Sequence, residues 1–172
     1  VFKLLFSLRG SVLENSINTG MIWVEEKIGR QRFKDYVEKF GFGNKTGMSL
    51  ETEMAGDVSS FGRPGEIYNA NASFGQGFTA TPLQLATAYS ALANAGKMPK
   101  PYIVQEIRHP NGQIEKFLPQ ISDAVISPRT SKLVTGMLVS VVEKGHGKPA
   151  RLDEYYVAAK TGTAQIAKQG KY

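Results

Sequence analysis

YVAAKTGTAQ, residues 156–165, carries an apolar stretch straight into Lys160-Thr161-Gly162 and a further hydroxyl at Thr163. YYVAA, 155–159, reads as a short strand, so the polar residues fall at its end. Residues of these types at a strand edge suit an anionic acyl substrate. The hydroxyls of Thr161 and Thr163 can hydrogen-bond a carboxylate and Lys160 adds positive charge. Gly162 has no side chain to keep a second backbone away. A free backbone N–H in the same place could face a developing oxyanion. On these residues alone, a polar strand end that happens to spell KTGT stays open as well.

The same tripeptide occurs earlier, as Lys45-Thr46-Gly47 in GFGNKTGMSL, 41–50. There it follows a helix end, and the turn chemistry of Gly and Asn makes it a polar loop. It is not a phosphate loop, which needs GxxxxGK[ST] after a strand. GHGKPA, 145–150, fails the same test because Pro149 stands where the hydroxyl residue belongs. No nucleotide site survives. Ser16-Ile17-Asn18, in LENSINTGM, matches S-x-N just ahead of a helix, where Ser and Asn are also common as caps. Taken alone, capping is the better account of it.

Around these motifs the pattern is mostly helical. From Thr19 to Phe40, Met21, Val24 and Ile28 share a face near Trp23; beyond a break at Gly29, Phe33, Tyr36, Val37 and Phe40 keep the helical spacing. Gly41 is placed to end it. FGFGNKTG, 40–47, is a Gly-rich loop, and residues 48–81 read as irregular. Thr81-Pro82 opens a helix that places Leu85, Tyr89 and Leu92 on one side and stops at Gly96. PYIVQEIR and QIEKFL predict a hairpin around HPNG. Ser127-Pro128 opens a helix to Lys144, with Leu133, Met137, Leu138, Val141 and Val142 inward and Gly145 and Gly147 ending it. Helices followed by strands, without βαβ alternation, predict an α+β fold.

Composition narrows the function classes. The 172 residues fit one domain or a large piece of one, with 41% hydrophobic and 21% charged residues. The net charge of +6 is scattered, with no basic run interleaved with aromatics, so nothing points to nucleic acid. Without cysteine there is no thiol nucleophile, disulfide or zinc thiolate site, and His109 and His146 lack ligand spacing, so no metal is expected. No run approaches the ~20 apolar residues of a membrane span. The opening VFKLLFSLRG lacks a signal-peptide layout, and a start at Val1 reads as an excised piece of something longer.

Two of the three motifs of the penicillin-recognising set, S-x-x-K, S-x-N and K-T-G, are thus present in order. The chain resembles the transpeptidase domain of class B penicillin-binding proteins. The likeness extends to SFGQGFTATPLQLATAYSALANAG (73–96), VVEKGHGKPARLDEYYVAAKTGTAQ (141–165) and SINTGMIWVEEKIGRQRFKDYVEKFGFGNKTG (16–47). It implies the penicillin-binding-protein/β-lactamase-like fold, an antiparallel sheet flanked by a helical lobe. It also implies a serine D,D-transpeptidase that cross-links peptidoglycan stem peptides, is acylated by β-lactams and needs no cofactor.

By matching position, Ser16 would relay protons and Asn18 would orient the substrate amide and the catalytic lysine. Lys160 would set the positive potential. Thr161 and Thr163 would bind the donor carboxylate, with Gly162 beside them in the substrate-binding set and the Thr163 N–H serving as one oxyanion donor. The implied parent is membrane-anchored and extracytoplasmic, with division or elongation proteins as partners. No Ser or Thr is followed three residues on by Lys. The nucleophile is therefore expected upstream of Val1, and the last family strands and helix beyond Tyr172. Residues 1–172 are read as a partial domain that is inactive alone. A catalytically dead scaffold module of the division or elongation machinery is the alternative. A β-lactamase or carboxypeptidase of the same superfamily fits the segment TPLQLATAYSALANAG, 81–96, less well.

Overall fold

Two glycine-punctuated helices follow a short helical turn in the computed structural model, which describes residues 10–48 and 51–163. Helix α1 spans Asn18–Ile28 and α2 Arg30–Lys39; Gly29, at φ +84°, takes the left-handed step between them that a side chain would resist. Phe33 of α2 packs on Phe61, with ring centroids 5.6 Å apart, and Phe61 continues to Phe78 at 5.8 Å and Phe42 at 6.0 Å from Phe78. This aromatic chain ties α2 and the FGFG loop to the segment read as irregular.

That segment is more ordered than its composition suggests. It holds a 3-10 turn, Ser59–Gly62, and helix α3, Glu66–Ser73. EIYNANAS has weak helix propensity. Its stability comes from burial: Asn69, Ala72 and Ser73 are buried, and Asn69 Nδ2 donates to Glu25 Oε1 of α1 at 3.3 Å.

Helix α4, Pro82–Ala93, begins with a full capping box: Thr81 Oγ1 accepts from Gln84 N at 3.1 Å and Gln84 Oε1 from Thr81 N at 2.9 Å. The side that carries Leu85 and Tyr89 is not the buried one. Gln84, Ala88 and Ala91 are buried, whereas Leu85 and Tyr89 are 47% and 43% exposed. Both sets obey i, i+4, i+7 spacing, so period alone cannot choose between them. The small face wins because it lets α4 lie close to helix α5, Pro128–Lys144. In α5, Ser127 caps Thr130 N at 3.1 Å, and Leu138, Val141 and Val142 form the core as read. Leu133, by contrast, is 44% exposed.

Among the described residues, four short strands form two antiparallel pairs. β2, Glu106–Arg108, and β3, Ile114–Lys116, make the expected hairpin, shorter than the apolar runs that predict it. β1, Lys97–Pro99, pairs with β4, Ile121–Ala124, a pairing no sequence period announces. YYVAA joins no ladder among the described residues: Tyr155 makes one bridge to Leu152 and nothing from 156 to 163 is paired. The expected strand lacks a neighbouring strand there. Ala159 N–H instead turns to the Leu138 carbonyl of α5 at 3.4 Å. The VFKLLFSLR opening and residues 164–172, which include the end of YVAAKTGTAQ, lie outside the described residues. Among the described residues no helix is long and apolar enough to cross a membrane.

Candidate active site

Ser16 owes its position to a helix end, not to a helix start. The helical residues 10–14 close with Ser16 N–H donating to Leu13 O at 3.2 Å and Ile17 N–H to Val12 O at 2.9 Å. That bond pair is the Schellman motif, with Ser16 at the C′ position and φ +52°. A left-handed conformation costs a residue with a Cβ about 1–2 kcal/mol. The N-cap of α1 is Ile17 and has no side-chain cap bond, so the capping account of Ser16-Ile17-Asn18 does not hold. The Ser16 hydroxyl is left free for something else.

It meets Lys160. The ammonium donates to Ser16 Oγ at 2.8 Å, Thr161 Oγ1 at 3.0 Å and the Thr161 carbonyl at 3.2 Å. All three acceptors are neutral, and among the described residues no carboxylate pairs with Lys160. Partial burial lowers its pKa below the ordinary 10.5, because the charged form loses water without gaining an anion. Recognition that needs this charge fades as pH rises through that lowered value. The arrangement is a cation short of its counter-ion.

Around this contact the other candidates are arrayed but not joined to it. Thr161, Gly162 and Thr163 are exposed, and a Cβ on Gly162 would meet nothing within 4 Å among the described residues. Asn18 is exposed at the start of α1, and its side chain makes no hydrogen bond to described residues. The Thr163 N–H has no partner among the described residues. The structure thus brings together Ser16, Lys160 and Thr161, and leaves Asn18, Gly162 and Thr163 at their margins with unused hydrogen-bonding capacity.

Two features of the site escape a motif search. Gln76 Nε2 donates to the Thr163 carbonyl at 3.1 Å across 87 residues of sequence. It is presented by a loop bent at Gly75 (φ +86°) and Gly77 (φ +78°), the one local hint that SFGQG aims its glutamine. On the other side, His146 N–H donates to Glu14 O at 2.9 Å and Ser140 Oγ to Glu14 Oε1. Both hold the turn that presents Ser16.

The first tripeptide is elsewhere. Thr46 N–H and Oγ1 both donate to Glu53 Oε1 at 2.6 Å, and Gly47 N–H to Glu53 Oε2 at 3.1 Å. A cavity of about 320 Å³ beside it is lined by Phe40, Lys45, Thr46, Met98, Lys100 and Ile121 among others, none of them a residue of the Ser16–Lys160 site.

This geometry has relatives. The family described as "Penicillin binding protein transpeptidase domain" matches residues 8–172. The chain is 40% identical over 163 residues to Stage V sporulation protein D of Bacillus subtilis, covering 94% of this chain and 25% of that protein. It is 33% identical over 166 residues to penicillin-binding protein PbpB of Mycobacterium tuberculosis, covering 92% and 24%. The crystal structure of penicillin binding protein 3 from M. tuberculosis superposes with a TM-score of 0.87 at 33% identity, over 94% of this chain and 38% of that one; its ampicillin complex gives the same score. The chain spans about a quarter of the length of these curated relatives. With residues 8–172 matched and the α+β fold shared, the chain belongs to the transpeptidase domain family of the class B penicillin-binding proteins.

Proposed function

We propose that the chain supplies the proton-relay and carboxylate-binding parts of a serine D,D-transpeptidase that cross-links peptidoglycan stem peptides. The observation that carries this reading is the 2.8 Å contact between Lys160 Nζ and Ser16 Oγ, which joins two motifs 144 residues apart. In the reaction, a serine of an S-x-x-K segment outside these 172 residues attacks the penultimate D-Ala carbonyl. The Thr163 N–H helps to hold the oxyanion. The peptide C–N bond breaks, and the Ser16 hydroxyl passes a proton to the leaving D-alanine amine, regaining one from the nucleophile's side. An amine of a neighbouring stem peptide then attacks the ester, returning the proton to the nucleophile.

Lys160 with Thr161 and Thr163 holds the donor's terminal carboxylate, Gly162 leaves it room, and Asn18 aligns the substrate amide. β-Lactams, which carry a carboxylate beside an acyl group, acylate the same serine. With that serine absent, residues 1–172 by themselves form no acyl-enzyme, because the remaining groups only stabilise and relay. The working protein faces the wall outside the cytoplasmic membrane, among division or elongation proteins. A scaffold without chemistry has no use for a hydroxyl held on a strained residue against an ammonium that meets no carboxylate among the described residues, so the enzymatic reading is preferred.

Labelling the full-length protein with a fluorescent penicillin tests it. Ser16→Ala is expected to cut the acylation rate by about 10²–10⁴-fold, the range for a lost proton-transfer group. A wild-type rate in Ser16→Ala refutes the assignment.

A further inference from the structure

Helix α5 touches both partners of the Ser16–Lys160 contact one step back along the chain. On the Ser16 side, the Ser140 hydroxyl donates to the Glu14 carboxylate. Just past the helix end, His146 N–H donates to the Glu14 carbonyl at 2.9 Å. Glu14 lies two residues before Ser16, inside the turn closed by the Leu13 and Val12 carbonyls, so Ser16 moves when Glu14 does. On the Lys160 side, the Leu138 carbonyl accepts from the N–H of Ala159, the residue immediately before Lys160. Leu138, Val141 and Val142 are buried, which fixes this part of α5 in the core.

Gly145 shows how close the approach is. A Cβ built there would stand 2.3 Å from the Glu14 carbonyl oxygen and 2.7 Å from its Cα. Its own backbone, φ −101° and ψ −155°, is extended and open to any residue. The glycine is therefore needed for space and not for conformation: the chain has no side chain where α5 ends because the turn carrying Ser16 lies against it. Backbone atoms on both sides leave nothing flexible to give way.

We propose that the last turns of α5 and the Gly145–His146 step form a template that sets the separation of Ser16 from Lys160, with Ser140 and Gly145 as positioning residues for the acyl transfer. The proposal rests on the reading that Ser16 and Lys160 act together. Seen this way, VVEKGHG is part of the site's frame: one helix end holds the serine turn and the lysine segment in a single rigid reference. Neither residue touches substrate. Their effect is felt through a hydroxyl-to-ammonium gap, where a displacement on the order of 1 Å costs about 10²-fold in rate.

The test is the acylation rate of the full-length protein with a fluorescent penicillin, measured beside its thermal transition. Gly145→Ala is expected to acylate about 10²-fold more slowly. Ser140→Ala removes one hydrogen bond and is expected to be about 5-fold slower, with Ser140→Thr restoring the rate by returning the hydroxyl. Gly136→Ala, on the same helix with nothing among the described residues within 4 Å of the added carbon, serves as the unaffected control. If Gly145→Ala loses its thermal transition, the Ser140→Ala and Ser140→Thr pair decides. Wild-type rates in Gly145→Ala and Ser140→Ala, with Ser16→Ala inactive, overturn the template while leaving the site reading intact. A wild-type rate in Ser16→Ala overturns that reading itself, and the template with it.

Discussion

Lys45-Thr46-Gly47 and Lys160-Thr161-Gly162 are the same three residues in opposite chemical situations. In the first, the Thr46 hydroxyl and the N–H groups of Thr46 and Gly47 surround the carboxylate of Glu53, seven residues past Thr46, with Lys45 adding attraction. The tripeptide there is a carboxylate receptor already filled by its own chain, and its result is a stapled loop. In the second, the lysine turns to neutral oxygens, the hydroxyls are exposed and no carboxylate of the described chain arrives. One copy binds a carboxylate to make structure; the other has the same groups and no occupant among the described residues. The contrast teaches that KTG chemistry lies in the tripeptide, while function depends on whether the surrounding chain supplies the anion.

The largest expected effect separates strain from chemistry at the second copy. Ser16→Gly suits φ +52° better than serine and is expected to raise stability by up to about 1 kcal/mol. It removes the hydroxyl, so acylation of the full-length protein is expected to fall by about 10³-fold. A variant that is both more stable and fully active would break the comparison, because Ser16 would then be a mere turn residue like those of the first copy.

Next in size is Gln84→Ala, which attacks the frame of the first copy. Gln84 is 1% exposed, and its amide donates to the carbonyls of Asn44 and Ala55 at 2.7 Å and Gly41 at 3.1 Å. Leaving these buried carbonyls unpaired is expected to cost about 3 kcal/mol, read from chemical denaturation, with the second copy's chemistry intact in the folded fraction. A smaller step is Gln76→Ala. It frees the Thr163 carbonyl and is expected to slow acylation about 10-fold while leaving the melting temperature near that of the wild type.

The smallest effect concerns Glu53. The Thr46 hydroxyl bond holds its carboxyl below the ordinary 4.5, supported by the N–H groups of Thr46 and Gly47 and by the charge of Lys45. Because the folded pKa is depressed, this contribution to stability is complete above 4.5 and is lost as pH falls through the lower folded value. Glu53→Gln is therefore expected to lower the melting temperature slightly at neutral pH, flatten its acid dependence and leave acylation unchanged.

The sequence is legible where it spells out both a cap and a stop. Thr81-Pro82 and Ser127-Pro128 with Gly145 give helices beginning at Pro82 and Pro128, the second ending at Lys144 as read. It is silent where an element exists only through tertiary contact. The helix Glu66–Ser73 has poor propensity and is held by Asn69 against Glu25, while β1 and β4 are too short for a period to show. The face of α4 was ambiguous because large and small residues share one spacing, and close packing chose the alanines. At the site, the motifs named Ser16, Asn18 and Lys160 through Thr163. They could not name Gln76 or Glu14, whose roles arise from hydrogen bonds across the fold and from a glycine's missing side chain.

The most direct measurement compares acylation by a penicillin with acylation by its methyl ester, in the full-length protein and in Lys45→Ala and Lys160→Ala. If the second copy is the carboxylate receptor, the wild type and Lys45→Ala both favour the free acid strongly, by about 10²-fold for a lost charge-assisted contact. Lys160→Ala brings the two rates close together. Undiminished preference for the acid in Lys160→Ala, or its loss in Lys45→Ala, would contradict the account.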